Sequence, residues 1–158
     1  MDEGKILVSA CLMGRKVRYD GKDNLLQDAR MAHWQAGGYL ISFCPEVAGG
    51  LAIPRTPAER MGARIITRDG QDVTGAFERG ARLARQLAQQ QQVVMAILKA
   101  RSPSCGVGQI YDGSFSGQLV AGDGLTAVAL REMGIAVFSE LQLDVAAAWW
   151  QQRQRGLA

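Results

Sequence analysis

The sequence has one histidine, His33, in 158 residues, and no apolar run long enough to span a membrane. A spanning helix takes roughly 20 consecutive apolar residues, so a membrane-embedded class is not expected. A secretory signal is not expected either. The first residues, Met1 to Lys5, are charged, and the apolar run from Ile6 to Ala10 is far too short. No charge of one sign dominates. The net charge is +3 with Lys and Arg scattered along the chain, which gives no clustered footprint for a nucleic-acid partner. No internal repeat, dinucleotide fingerprint or phosphate loop is present. These absences point to a soluble, cytoplasmic protein. The three cysteines are an odd number in a chain without an export signal. A disulfide framework is a poor reading of them, whereas a metal or reactive-thiol role is permitted. The bland alternative is that all are small buried apolar residues.

What is present suits a single domain over residues 1–158 with a real hydrophobic core. Apolar residues make up 47% and charged residues 21%, a balance that excludes disorder. Four apolar runs read as strands: Lys5 to Ala10, Tyr39 to Phe43, Val93 to Leu98, and Ile135 to Phe138. The third is apolar at every position, as in a strand buried on both faces of a parallel sheet. Helical composition fills Leu25 to Ala36, Gly75 to about Gln92, Gly124 to Met133, and Leu141 to about Arg155. Thr74 and Ser139 are expected N-caps. Ala63 to Asp72 reads as a hairpin turning at Asp69-Gly70, and Ile110 to Gly113 as a turn. Trp149 and Trp150 fall on the last helix, with core packing or a dimer contact as their expected role. Alternating strands and helices predict a doubly wound α/β fold with a mainly parallel sheet flanked by helices.

The cysteines follow this pattern. Cys11 comes after the first strand, Cys44 after the second, and Cys105 a few residues past the third. In an open parallel sheet the carboxyl ends of the strands share one edge, where ligands bind. A shared site is therefore favoured over inert core thiols. Soft thiolates select zinc, Cu(I) or iron–sulfur clusters. A cubane cluster normally takes four cysteines, so three leave one iron without a protein ligand. Zinc on three cysteines with an open position is equally sensible chemistry. His33 falls in a helical stretch and is not recruited. Glu46 shares a loop with Cys44, where a carboxylate can shuttle protons or simply bond the loop. Ser102 and Ser104 flank Pro103 just before Cys105. Either can position water or substrate, or shape the turn. Gly49, Gly50, Gly106 and Gly108 would let the backbone approach a cofactor.

Several stretches together resemble a known bacterial family. They are Ser9-Ala10-Cys11-Leu12-Met13-Gly14 with Val17-Arg18-Tyr19-Asp20-Gly21, and Cys44-Pro45-Glu46-Val47-Ala48-Gly49-Gly50-Leu51 with Pro54-Arg55-Thr56-Pro57-Ala58-Glu59. Leu98 to Gly106 and Ile110 to Gly117 complete the set. These motifs are similar to those of the thiouracil desulfurase (desulfidase) family, across nearly the whole chain. Met13 and Ala100 depart from the usual Leu and Ser and touch no expected ligand. The resemblance implies a [4Fe-4S] cluster on Cys11, Cys44 and Cys105, a catalytic Glu46, and a catalytic serine best matched by Ser102; Ser104, from its place in the same loop, is a substrate-binding candidate. It also implies desulfuration of thiouracil-type pyrimidines to a uracil-type product and hydrogen sulfide; the expected mechanism has the substrate sulfur bound to the open iron. The expected partner is a small thiolated pyrimidine, and a thiolated base within a transfer RNA stays open as a substrate. Two rivals use the same residues: a zinc hydrolase or deaminase acting on a nucleobase, and a non-catalytic iron–sulfur sensor or sulfur carrier. The Pro-Cys-x-x-Cys signature of zinc deaminases is absent, which counts against the first.

Overall fold

In the computed structural model, which describes residues 4–157, the chain alternates strand and helix much as its hydropathy predicts. The charged segment Met1–Glu3 lies outside the described residues. In chain order the elements are β1 (Lys5–Ser9), α1 (Ala29–Ala36), β2 (Leu40–Phe43), α2 (Pro45–Ala48), β3 (Ala58–Met61), β4 (Arg64–Thr67) and α3 (Thr74–Gln90). Then follow β5 (Val93–Leu98), β6 (Gln109–Tyr111), β7 (Leu119–Ala121), α4 (Leu125–Glu132), β8 (Ala136–Ser139) and α5 (Leu143–Leu157).

The central sheet has the order β2-β1-β5-β8, and every pair in it is parallel. Side chains alternate between its faces, as strand geometry requires. Ile6, Val8, Met95 and Ile97 pack on one side with Met31 and Trp34 of α1 and with Ala146 and Trp150 of α5. Leu7, Ala96 and Leu98 pack on the other with Ala88 of α3 and with Ala127 and Leu130 of α4. Helices on both faces of a parallel sheet make the fold doubly wound α/β. Trp150 is a core residue, meeting the rings of Tyr39 and Trp34 edge-on.

The register levels the strand ends. Ser9 pairs with Phe43, Val8 with Ile97, and Leu98 with Ser139. The loops that begin at Ala10, Cys44 and Lys99 therefore leave the sheet along one edge. The chain passes from β1 to β2 on one side and returns to β5 on the other, so β1 and β5 flank the switch point where such sheets bind ligands.

Several local expectations change. The main hairpin pairs β3 with β4 around Gly62, while the Asp69-Gly70 turn adds only a bridge between Ile66 and Asp72. Thr74 does not cap α3. It is the first helical residue; its amide donates to Asp72, and its hydroxyl accepts from the Ile65 amide. Ile110 and Tyr111 belong to β6, paired antiparallel with β7, and not to a turn. The first helix starts at Ala29, capped by Asp28, so Leu25 to Gln27 lie outside it. Ser139 does act as a cap, in a capping box with Gln142, but of the 3-10 turn Glu140–Gln142 that precedes α5 and not of α5 itself.

Candidate active site

Each cysteine is placed by a different local device. Cys11 sits in a single 3-10 turn, Ala10–Met13, which directly extends β1 and closes on Gly14. Gly14 takes φ 89, a left-handed conformation that favours glycine, and its amide donates back to the Cys11 carbonyl. Cys44 is the N-cap of α2, with Pro45 at the first helical position where a missing N–H costs nothing. Cys105 lies in a loop strapped over the first turn of α4. The amides of Gly124, Leu125 and Thr126 donate to the carbonyls of Gly106, Pro103 and Ser104.

Glycines set these backbones at van der Waals limits. A Cβ on Gly80 of α3 would stand 2.1 Å from the Pro45 carbonyl oxygen, and one on Gly49 would stand 2.1 Å from that of Ala76. Helices α2 and α3 thus touch backbone to backbone, fixing the height of Cys44 and Glu46 above the sheet. A Cβ on Gly106 would meet Ser102 O at 2.7 Å. Gly49 and Gly106 therefore admit neighbouring protein backbone, rather than the cofactor approach expected of them.

Cys11, Cys44 and Cys105 all line one cleft of about 610 Å³ at the carboxyl edge of the sheet. Glu46, Ser102, Ser104 and Arg55 line it too, as do Tyr111 and Phe115. A volume of this order suits a small molecule. His33 is exposed on α1, away from the cleft lining. Burial raises all three thiols above the ordinary 9.0, with Cys105 pushed up to about 12. At Cys105 the hydroxyl of Ser9 acts against that rise. Asn24 does the same for Cys11, and the amides of Val47 and Glu46 for Cys44. The thiols thus stay protonated in the bare protein, while each sulfur already has donors aimed at it. Such a site gives up its protons when a metal group binds. Among the described residues, no three Cys, His, Asp or Glu side chains converge to hold one metal ion.

Beside the thiols runs a chain of hydrogen bonds. Ser104 is 1% exposed, and its hydroxyl donates to Glu46 Oε2 at 2.8 Å. Ser104 Oγ also lies 3.6 Å from Cys105 Sγ, but its one proton favours the nearer carboxylate. Ser102 Oγ is 3.3 Å from Ser104 Oγ and accepts the Cys105 amide at 2.8 Å. Because the Ser104 proton is committed to Glu46, Ser102 must be the donor between the two hydroxyls. The order is Ser102 to Ser104 to Glu46. Arg55 bonds the other carboxylate oxygen, with Nε and Nη2 each 3.1 Å from Glu46 Oε1.

Sequence reasoning assigned no role to Arg55, Ser9, Asn24 or Glu59. Arg55 and Glu59 sit inside a recognised motif, which was the available signal. Glu59 is buried and accepts the amides of Gly113 and Phe115 at 3.0 and 3.1 Å. It thereby pins the loop carrying Phe115 at the cleft wall.

A family model described as 2-thiouracil desulfurase matches residues 6–142. The chain belongs to this family. The uncharacterized protein YbbK of Bacillus subtilis (strain 168) is 38% identical over 149 residues, spanning 88% of this chain and 97% of its own. A solved structure described as the [4Fe-4S]-dependent thiouracil desulfidase TudS is 49% identical and superposes with a TM-score of 0.92. That match covers 94% of this chain and 99% of the TudS chain. Among the described residues, no helix is long and apolar enough to cross a membrane.

Proposed function

We propose that this protein removes sulfur from thiouracil-type pyrimidines, giving a uracil-type product and hydrogen sulfide, with the help of a [4Fe-4S] cluster. The observation that carries the reading is the meeting of three strand-end cysteines with a carboxylate–serine chain in one cleft. Membership of the 2-thiouracil desulfurase family and the likeness to TudS support it. The donor set fits the cluster in its chemistry: three soft sulfur ligands line a common cavity. Cys11, Cys44 and Cys105 would hold it. When bound, the cluster supplies a Lewis-acidic iron, free of a protein ligand, toward the thiocarbonyl sulfur.

The chain's own groups then manage water and protons. The overall change adds one water across the C–S bond: its oxygen replaces the sulfur on carbon, and its two hydrogens leave with the sulfur. Electrons balance without an oxidant or reductant. Ser102 Oγ, half-buried in the cleft wall, takes a proton from the attacking water and passes its own to Ser104 Oγ. Ser104 in turn delivers its proton to Glu46 Oε2. The three groups already lie in that order. Ser104 thereby acts on the substrate side through Ser102. Glu46 is the base; the first proton returns along the chain to the departing sulfur, and the proton left on the attacking oxygen follows the same path as the new C=O bond forms, so that the sulfur leaves as hydrogen sulfide. A carboxylate has about four acceptor sites, so the bonds from Arg55 and Ser104 do not exhaust it. Phe115 and Tyr111 line the cavity as apolar walls for a flat ring.

We read the activity as that of one domain over residues 1–158, acting in the cytoplasm on a small thiolated pyrimidine. The test is anaerobic purification and reconstitution with iron and sulfide, followed by an assay of free 2-thiouracil and 4-thiouracil for uracil and sulfide over many turnovers. Multiple turnover supports the reading. A loaded protein that binds thiouracil but never turns over would instead favour a sensor or sulfur carrier.

A further inference from the structure

Arg55 performs no step in that scheme, yet its geometry is fully determined. Its side chain is only 10% exposed. Nε and Nη2 face Glu46 Oε1, Nη1 donates to Ala52 O at 3.0 Å, and Nη2 donates to Val17 O at 2.8 Å. Its own amide donates to Tyr19 O at 2.7 Å. The guanidinium is thus locked from two loops before it meets the carboxylate. Glu46 lies on α2, whose backbone is fixed against α3 by Gly49 and Gly80. Its side chain alone has rotamers to choose from, and its two oxygens are claimed from opposite directions, by Arg55 and by Ser104. A planar fork held in place can select one carboxylate orientation, which a flexible ammonium cannot do as well.

We infer that Arg55 is a positioning residue for the reaction: it fixes the Glu46 rotamer that keeps Oε2 on the Ser104–Ser102 chain. The inference rests on the role of Glu46 given above. On this inference the rate contribution of Arg55 runs through Glu46, while its bond to the Val17 carbonyl and its charge near Cys44 are contacts that the iron content of the variants monitors. Misplacing a reacting group by about 1 Å can cost on the order of 10² in rate, and that is the scale of loss expected when the fork is removed.

The test is a double-mutant cycle on the reconstituted protein, using Arg55→Gln and Glu46→Gln singly and together. Iron and sulfide content and thermal melts are measured on every variant, alongside kcat and KM. Arg55→Gln is expected to keep its iron and sulfide and lose roughly 10- to 100-fold in kcat with little change in KM. In the Glu46→Gln background the same substitution is expected to cost no more than about twofold, because the group it positions is already gone. An equal loss in both backgrounds overturns the inference while leaving Glu46 as the base. Full activity in Glu46→Gln alone overturns the reading of Glu46 itself, and the inference with it. Where Arg55→Gln fails to fold, Arg55→Lys takes its place. It is expected to keep iron and show a smaller kcat loss, again only when Glu46 is present. Loss of iron from Arg55→Lys overturns the inference and reduces Arg55 to a buckle between loops.

Discussion

Ser104 Oγ donates to Glu46 Oε2 at 2.8 Å, joining the loop after β5 to the short helix after β2. The bond links two segments that each carry a cysteine, Cys105 and Cys44. The proposed acid–base groups and the thiols are therefore built on the same backbone, and substitutions can separate their contributions.

Glu46→Gln keeps the shape of the side chain but cannot exchange a proton. The variant is expected to hold iron and sulfide like wild type, stay brown, bind thiouracil, and lose roughly 10²–10⁴ in turnover. Reconstituted Glu46→Gln turning over near the wild-type rate would make Glu46 a structural loop residue.

Ser102→Ala and Ser104→Ala each break the hydrogen-bond chain at a different link. Both are expected to lower kcat, and the double variant should be no slower than the worse single one, because one broken link already interrupts the path. Losses that multiply in the double variant would mean that the two hydroxyls act independently.

Gly80→Ala puts a methyl group where the Pro45 carbonyl oxygen stands 2.1 Å away. Helix α2 must then lift from α3 and carry Cys44 and Glu46 with it. A loss of roughly 1–3 kcal/mol in stability is expected from such overpacking, together with reduced iron loading. Gly75→Ala, on the same helix, is the comparison, because a Cβ there meets nothing within 4 Å. Equal melting temperatures and iron contents for Gly80→Ala and Gly75→Ala would refute the backbone-contact argument.

The metal-free protein should lose stability in mild alkali. In the unfolded chain a thiol ionises near 9.0, while burial holds folded Cys105 protonated up to about 12. Below the lower value both states carry the proton and the contribution is complete. Above it the unfolded state binds fewer protons, so stability falls as pH rises toward the folded value. Cys11 and Cys44 are shifted in the same direction by burial and add to the slope. Urea unfolding of the metal-free protein from about pH 7 to about pH 10 measures it, and Cys105→Ala should flatten the curve. A flat wild-type curve contradicts the burial of these thiols.

The parallel sheet was legible because its strands are short apolar runs: β1, β2 and β8 each follow a glycine by one or two residues, and β5 has no polar residue to confuse it. The convergence of Cys11, Cys44 and Cys105 on one cleft followed from the same pattern, since each comes soon after such a run. The hairpin of β6 and β7 carries no comparable signal. Its strands are three residues each, too short for an alternation to register, and the loop between them is rich in Gly and Ser. Thr74 is not the cap its composition suggests because Asp72, two residues earlier, supplies the acceptor for its amide. The Gly49–Gly80 contact has no hydropathy signal at all, being a contact between backbones distant in sequence. Arg55 lies within a motif, but its partner is a side chain from another segment, and such pairings have no period to read. The order Ser102, Ser104, Glu46 likewise depends on which hydroxyl has a proton to spare, a question only the three-dimensional arrangement poses.

The most direct test of the whole account is iron and acid-labile sulfide per chain, measured after anaerobic reconstitution of the wild type and of Cys11→Ser, Cys44→Ser and Cys105→Ser. The account predicts a [4Fe-4S] complement in the wild type, with spectra to match, and no stable cluster in any of the three variants. Full iron and sulfide with wild-type spectra in any one variant would contradict it, because that cysteine would then not be a ligand.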